Sequence, residues 1–192
     1  KVDAILKLPP PSTKRQVRSF VNLAGYYRRF MNGYATMTRP ITLLLKDNAD
    51  FCWNEECDRG FTQVKDALAS EPILRNPDWS KEFYINPGFG THTLADILLQ
   101  QGEDRFMYPI RYASRQMLDT EHRYSESEKH ALSLIFCVEN FKHYLIGRHF
   151  IIISNNGLAK QVLQSSHPLG RLAKWLAILQ EYDFSFKIVK GG

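Results

Sequence analysis

Residues 125–153 read SESEKHALSLIFCVENFKHYLIGRHFIII. Ala131, Leu134, Ile135, Val138, Phe141 and Leu145 recur at three- and four-residue steps, which predicts an amphipathic helix over about 125–144. Phe150–Ile153 follows as a short, wholly apolar run, the pattern of a strand buried on both faces. A long helix feeding such a strand is a crossover unit, and crossover units belong to sheets with helices packed on them.

Upstream of the helix, Phe83-Tyr84-Ile85, Leu94–Gln100 and Met107–Ala113 are strand-like, and Gly102-Glu103-Asp104 suits a hairpin turn. Downstream, Asn155-Asn156-Gly157 leads into a short helix to about Leu163, and His167-Pro168 breaks it. Leu172–Glu181 reads as a further helix and Asp183–Val189 as a last strand. The order β-β-β-α-β-α-α-β predicts a mixed sheet of the α/β class.

The first third is helical. Ser12-Thr13 offers an N-cap, with Gln16 three residues after Thr13 as in a capping box. Val17, Phe20, Val21, Ala24, Tyr27 and Met31 form the stripe of a helix over about 14–31, stopped by Asn32-Gly33. Pro40 is expected at the start of a short helix, Ile41–Lys46. Another helix spans about 55–70, with Glu55 and Glu56 in its first turn. Pro72 and Asn76-Pro77 mark a linker near 72–80 that would let two parts move.

The 192 residues suit one domain with a smaller neighbour, and 44% apolar content excludes wholesale disorder. No run of eighteen apolar residues occurs, so no membrane span is expected. The chain opens at Lys1 without a signal pattern and reads as a piece of a longer polypeptide. A net charge of +5 permits a nucleic-acid partner. Cys52, Cys57 and Cys137 are an odd count without a CxxC pair, which argues against a disulfide framework or zinc ribbon and for a reducing compartment, cytoplasm or nucleus. The six histidines show no ligand pairing with the cysteines, and no small-molecule or phosphate-loop motif stands out.

Five stretches, in order, resemble one family. They are Val17-Arg18-Ser19-Phe20-Val21-Asn22-Leu23-Ala24-Gly25-Tyr26-Tyr27-Arg28-Arg29-Phe30, then Phe51-Cys52-Trp53-Asn54 with Phe61, then Tyr124-Ser125-Glu126-Ser127-Glu128-Lys129 with Ala131-Leu132, then Phe141-Lys142-His143-Tyr144-Leu145-Ile146-Gly147, and Gly170-Arg171-Leu172-Ala173-Lys174-Trp175. The chain resembles the reverse transcriptase thumb and ribonuclease H portion of gypsy-type, retrovirus-like Pol polyproteins. The resemblance implies a helical thumb-like subdomain at 1–75 and a ribonuclease H-like domain at 76–192 that lacks the last family helix.

Ribonuclease H chemistry uses clustered carboxylates to hold two Mg²⁺ ions. The resemblance places the first Asp at position 88, where Gly88 stands in Ile85-Asn86-Pro87-Gly88-Phe89-Gly90. It matches the helix Glu to Glu128 and the second Asp to Asn155. Asp96, the one acid of the second strand, falls where the family has a small residue and is expected a strand-length from the site. The first motif is rewritten from Asn86 to Thr93, a pattern of natural decay or repurposing. These positions predict a pseudoenzyme with no intact catalytic site and no bound metal or cofactor.

No acid occurs between Asp3 and Asp47, while Lys14, Arg15, Arg18, Arg28 and Arg29 do. On one helix Lys14, Arg18 and Arg29 would share a face near Tyr26, a candidate surface for a nucleic-acid backbone. The thumb resemblance points the same way. Two functions stay open: a domesticated, non-catalytic scaffold for an unknown protein partner, and a binder of RNA/DNA hybrid or duplex. Residual metal-dependent ribonuclease H is a third.

Overall fold

The computed structural model describes residues 2–70, 74–154 and 170–189. Helix α1 (Val2–Leu6) precedes α2 (Lys14–Gly25), a 3₁₀ turn (Arg28–Phe30), α3 (Tyr34–Leu43) and α4 (Glu55–Ala69). Thr13 caps α2 by accepting from Gln16 N–H, and the Gln16 side chain accepts from Ser12 N–H at 2.7 Å. The reciprocal bond falls one residue earlier than a capping box requires. Asn54 caps α4 through Cys57 N–H. Val17, Phe20, Ile41, Phe61 and Val64 close one core, with the Phe20 and Phe61 rings 4.6 Å apart.

Two boundaries differ from the sequence reading. Helix α2 stops at Gly25 rather than near 31, because glycine costs about 1 kcal/mol inside a helix and the Tyr34 hydroxyl donates to Val21 O at 2.9 Å. Met31 still reaches the core from beyond the 3₁₀ turn, which is why the apolar stripe ran on. Pro40 lies inside α3 instead of opening a helix. The helix starts earlier, at Gly33 with φ +69, and the Pro40 ring packs over Gly60 of α4.

The sheet has five strands: β1 (Phe83–Asn86), β2 (Thr93–Gln101), β3 (Met107–Gln116), β4 (His149–Ser154) and β5 (Asp183–Ile188), in the order β3-β2-β1-β4-β5. β1–β2 and β2–β3 pair antiparallel; β1–β4 and β4–β5 pair parallel. Helices α5 (Glu126–Asn140), α6 (Lys142–Leu145) and α7 (Arg171–Leu179) join them. Leu134, Ile135, Val138, Phe141 and Leu145 pack on Phe83, Ile85, Leu98, Phe150, Ile152 and Leu179. The long helix breaks at Phe141, earlier than expected, and resumes as α6. On β4 only Phe150 and Ile152 are fully buried; Ile151 and Ile153, expected in a strand buried on both faces, are half-buried. The short helix to Leu163, the break at His167-Pro168 and Pro72 lie outside the described residues.

The helical part sits against the sheet through polar bonds. Ala35 N–H donates to Ser114 Oγ at 3.1 Å, Thr36 and Thr93 hydroxyls meet at 2.9 Å, and Gln116 Nε2 donates to Thr42 Oγ1 at 2.6 Å. The described part of the expected linker is tied down as well: Gln100 brackets Asp78 with two 2.8 Å bonds, and Arg75 N–H donates to Pro109 O.

Gly60 marks where α3 and α4 touch, since a Cβ there would collide with the Met37 carbonyl oxygen. Gly60→Ala should therefore destabilise by about 1–3 kcal/mol in urea unfolding, whereas the same change in a free helix position would stabilise by about 1 kcal/mol.

Candidate functional site

β1 ends at Asn86, and Pro87 leads into the position where the resemblance expects an acid. Gly88 O accepts from Ala95 N–H at 3.0 Å, and Gly88 N–H donates to Asp96 Oδ1 at 3.3 Å. Asp96 is thus beside Gly88 rather than a strand-length away, because β2 folds back antiparallel on β1 and returns its first residues to the β1 end. A Cβ at Gly88 would lie 3.0 Å from Ala95 O, so a longer side chain there forces that carbonyl to give.

Asp96 is 1% exposed, its Oδ2 has no hydrogen-bond partner, and Cys137 of α5 lies beside it. Burial pushes its carboxyl well above the usual carboxylate range, against the smaller pull of Gly88 N–H and Arg115. The same burial raises the Cys137 thiol, and Asp96 adds to that rise. Burial of this kind disfavours the charged form of both groups.

Glu128 does not turn toward this place. It is the third residue of α5, and its carboxylate accepts from Ser125 N–H at 2.9 Å and Ser125 Oγ at 3.0 Å, closing a capping box. Arg171 Nε stands 3.6 Å from its other oxygen. The Ser125 bonds, backbone first, hold its pKa below the usual Glu value. From α5, Cys137 lies beside Asp96, and the His130 ring meets Phe89, just past β1, edge-on at 4.8 Å. At 3.6 residues per turn, His130 lies about 40° around the helix from buried Leu134, and Glu128 about 120° away. The helical spacing in the sequence carries this difference, whereas acidic residue type alone points to Glu128.

Asn155 lies outside the described residues. Among the described residues no group of three His, Cys, Asp or Glu side chains comes together as a metal site. Gly88, the buried Asp96, the capped Glu128 and His130 do not make the oxygen-rich set that Mg²⁺ takes, so the described residues here do not fit a two-metal centre.

The basic residues divide. Arg15 and Arg18 are exposed on one side of α2, and Tyr26, 72% exposed, continues that line past its end. Lys14 is tied instead: its Nζ donates to Lys46 O at 3.0 Å. Arg28 and Arg29 stand on the 3₁₀ turn, so the single face expected for Lys14, Arg18 and Arg29 does not form. The Arg29 guanidinium lies 4.8 Å over the Phe30 ring. Burial pushes the Tyr34 hydroxyl up to about 12, with the nearby Arg28 charge opposing it. Between α1 and α2 an apolar groove of about 490 Å³ is lined by Ile5, Leu8, Leu23 and Tyr26. No described helix is long and apolar enough to cross a membrane.

The raised Asp96 pKa gives a stability prediction with a definite sign. The folded state keeps this proton to higher pH than the unfolded chain, so unfolding free energy should fall as pH rises from about 4. Asp96→Asn should remove that decline and be the more stable form at neutral pH, read by urea unfolding across pH 4–8.

Residues 53–152 match the family described as the RNase H-like domain found in reverse transcriptase. Over 192 residues the chain is 33% identical to the retrovirus-related Pol polyprotein from transposon 297 of Drosophila melanogaster, covering all of this chain and 18% of that protein. It is 27% identical to the transposon Tf2-3 polyprotein of Schizosaccharomyces pombe, covering 99% of this chain and 15% of the relative. The chain therefore spans less than a fifth of these relatives. The foamy viral protease-reverse transcriptase in complex with double-stranded DNA superposes with a TM-score of 0.79 at 18% identity, over all of this chain and 41% of that one. Its complex with RNA/DNA hybrid gives 0.76 at 20% identity, over all of this chain and 27% of that one. With more than half of its length matched, the chain belongs to the RNase H-like domains found in reverse transcriptases, as the reverse transcriptase and ribonuclease H-like region of a retroelement Pol polyprotein.

Proposed function

We propose that this chain is a non-catalytic module that grips a nucleic-acid duplex without cutting it, with the ribonuclease H-like sheet serving as scaffold for the thumb-like helical part. The observation that carries the non-catalytic half is the pairing of Gly88 with a buried Asp96, whose carboxyl burial biases against the charged form that cleavage would need at the β1 end. The gripping half is supported by the exposed Arg15–Arg18–Tyr26 line on α2 and by foamy viral relatives of the same fold held on double-stranded DNA and RNA/DNA hybrid. Backbone contacts of this kind release counterions and need no base reading. No metal or cofactor takes part in this role, and a cytoplasmic or nuclear setting suits it.

A second reading, a scaffold for a protein partner, is favoured by the apolar groove beside Leu23 and Tyr26, both exposed. The two readings part on salt. Duplex binding should weaken about tenfold or more between 50 and 200 mM salt. Arg15→Gln with Arg18→Gln should lower the slope of log affinity against log salt by about two. Absence of binding at low salt would leave the scaffold reading.

Acid restoration tests the non-catalytic half. Gly88→Asp with Asn155→Asp should yield no Mg²⁺-dependent cleavage of an RNA/DNA hybrid, because Glu128 stays on Ser125 and Asp96 stays under the new side chain. Cleavage by that variant would overturn this account of the site.

A further inference from the structure

A cleft of about 420 Å³ lies between the helical part and the sheet, a volume within the range of ligand sites. Because α3 and α4 touch at Gly60, Arg39 of one and Arg59 of the other line the same wall. The facing wall is the turn at residues 90–93. Gly90 N–H to Thr93 O at 2.8 Å shapes that turn, and the Thr36–Thr93 hydroxyl bond holds it to α3. Among the described residues neither guanidinium is hydrogen-bonded or ion-paired, and Glu56 is the single acid in the lining.

His92 adds a second, independent sign. Its Nδ1 is buried without a hydrogen-bond partner, a polar atom left open at the cleft. The ring stands edge-on to His122 at 5.0 Å. Burial first, and then Arg39 and His122, oppose its protonation, so the local field is positive. Two unengaged guanidiniums beside an imidazole and threonine hydroxyls are a donor set suited to a tetrahedral oxyanion.

We propose that this cleft is a phosphate site, where Arg39, Arg59 and His92 receive a backbone phosphate of a bound strand. The strand as source rests on the duplex reading above; the phosphate chemistry rests on the cleft.

The test compares the wild-type chain with Arg39→Gln/Arg59→Gln, using a fluorescent DNA duplex across a salt series. In parallel, NMR follows the His92 and His122 ring signals as inorganic phosphate is added. The variant should bind duplex about tenfold or more weakly at low salt, with a salt slope lower by about two. Inorganic phosphate should move the His92 signal in the wild type and not in the variant. Wild-type duplex binding with affinity and slope unchanged in the variant overturns the strand proposal and leaves the duplex reading standing. No duplex binding by the wild type overturns the duplex reading itself. In that case a phosphate response abolished in the variant supports the cleft as a site for a free phosphate compound, and no response overturns it.

Discussion

Parallel pairing of β1 with β4 is the constraint on which the rest depends. Two parallel strands cannot be joined by a tight turn; the chain must cross over the sheet, and here it does so through α5 and α6. The register sets Phe83 opposite Phe150 and Ile85 opposite Ile152, all buried under α5. Each such side chain contributes about 1.5–3 kcal/mol by leaving water. The same crossover fixes which part of α5 reaches the open end of β1: Cys137 meets Asp96 and His130 meets Phe89, while Glu128 stays on Ser125.

Core packing needs only the apolar stripe of α5 and the alternate residues of β1 and β4, none of which is a carboxylate. Gly88 offers no side chain, and the Asp96 carboxyl beside it is buried, with its pKa raised by that burial. The stability of the sheet is thereby separated from the charge cluster that two divalent cations would demand. The seam between the helical part and the sheet carries hydroxyl and amide bonds.

Much of the fold was legible because its signals are local. The α5 stripe, the hairpin at Gly102 and the alternation of Asp183–Ile188 are written at helix or strand period. The misses came from tertiary contacts that periodicity does not carry. Pro40 reads as a helix start until Gly60 is seen beneath its ring. Lys14 reads as a free cation until the turn after α3 brings the Lys46 carbonyl within its reach. Asp96 reads as remote along the chain, yet antiparallel pairing returns it to Gly88. Glu128 reads as a ligand by type, while its position in the first turn makes it a cap.

The most direct measurement follows an RNA/DNA hybrid held by the chain in the presence of Mg²⁺, with binding and strand integrity read from the same sample. The account predicts a hybrid that is bound, releases as salt rises, and stays uncut over hours. Metal-dependent cleavage of the RNA strand would contradict it.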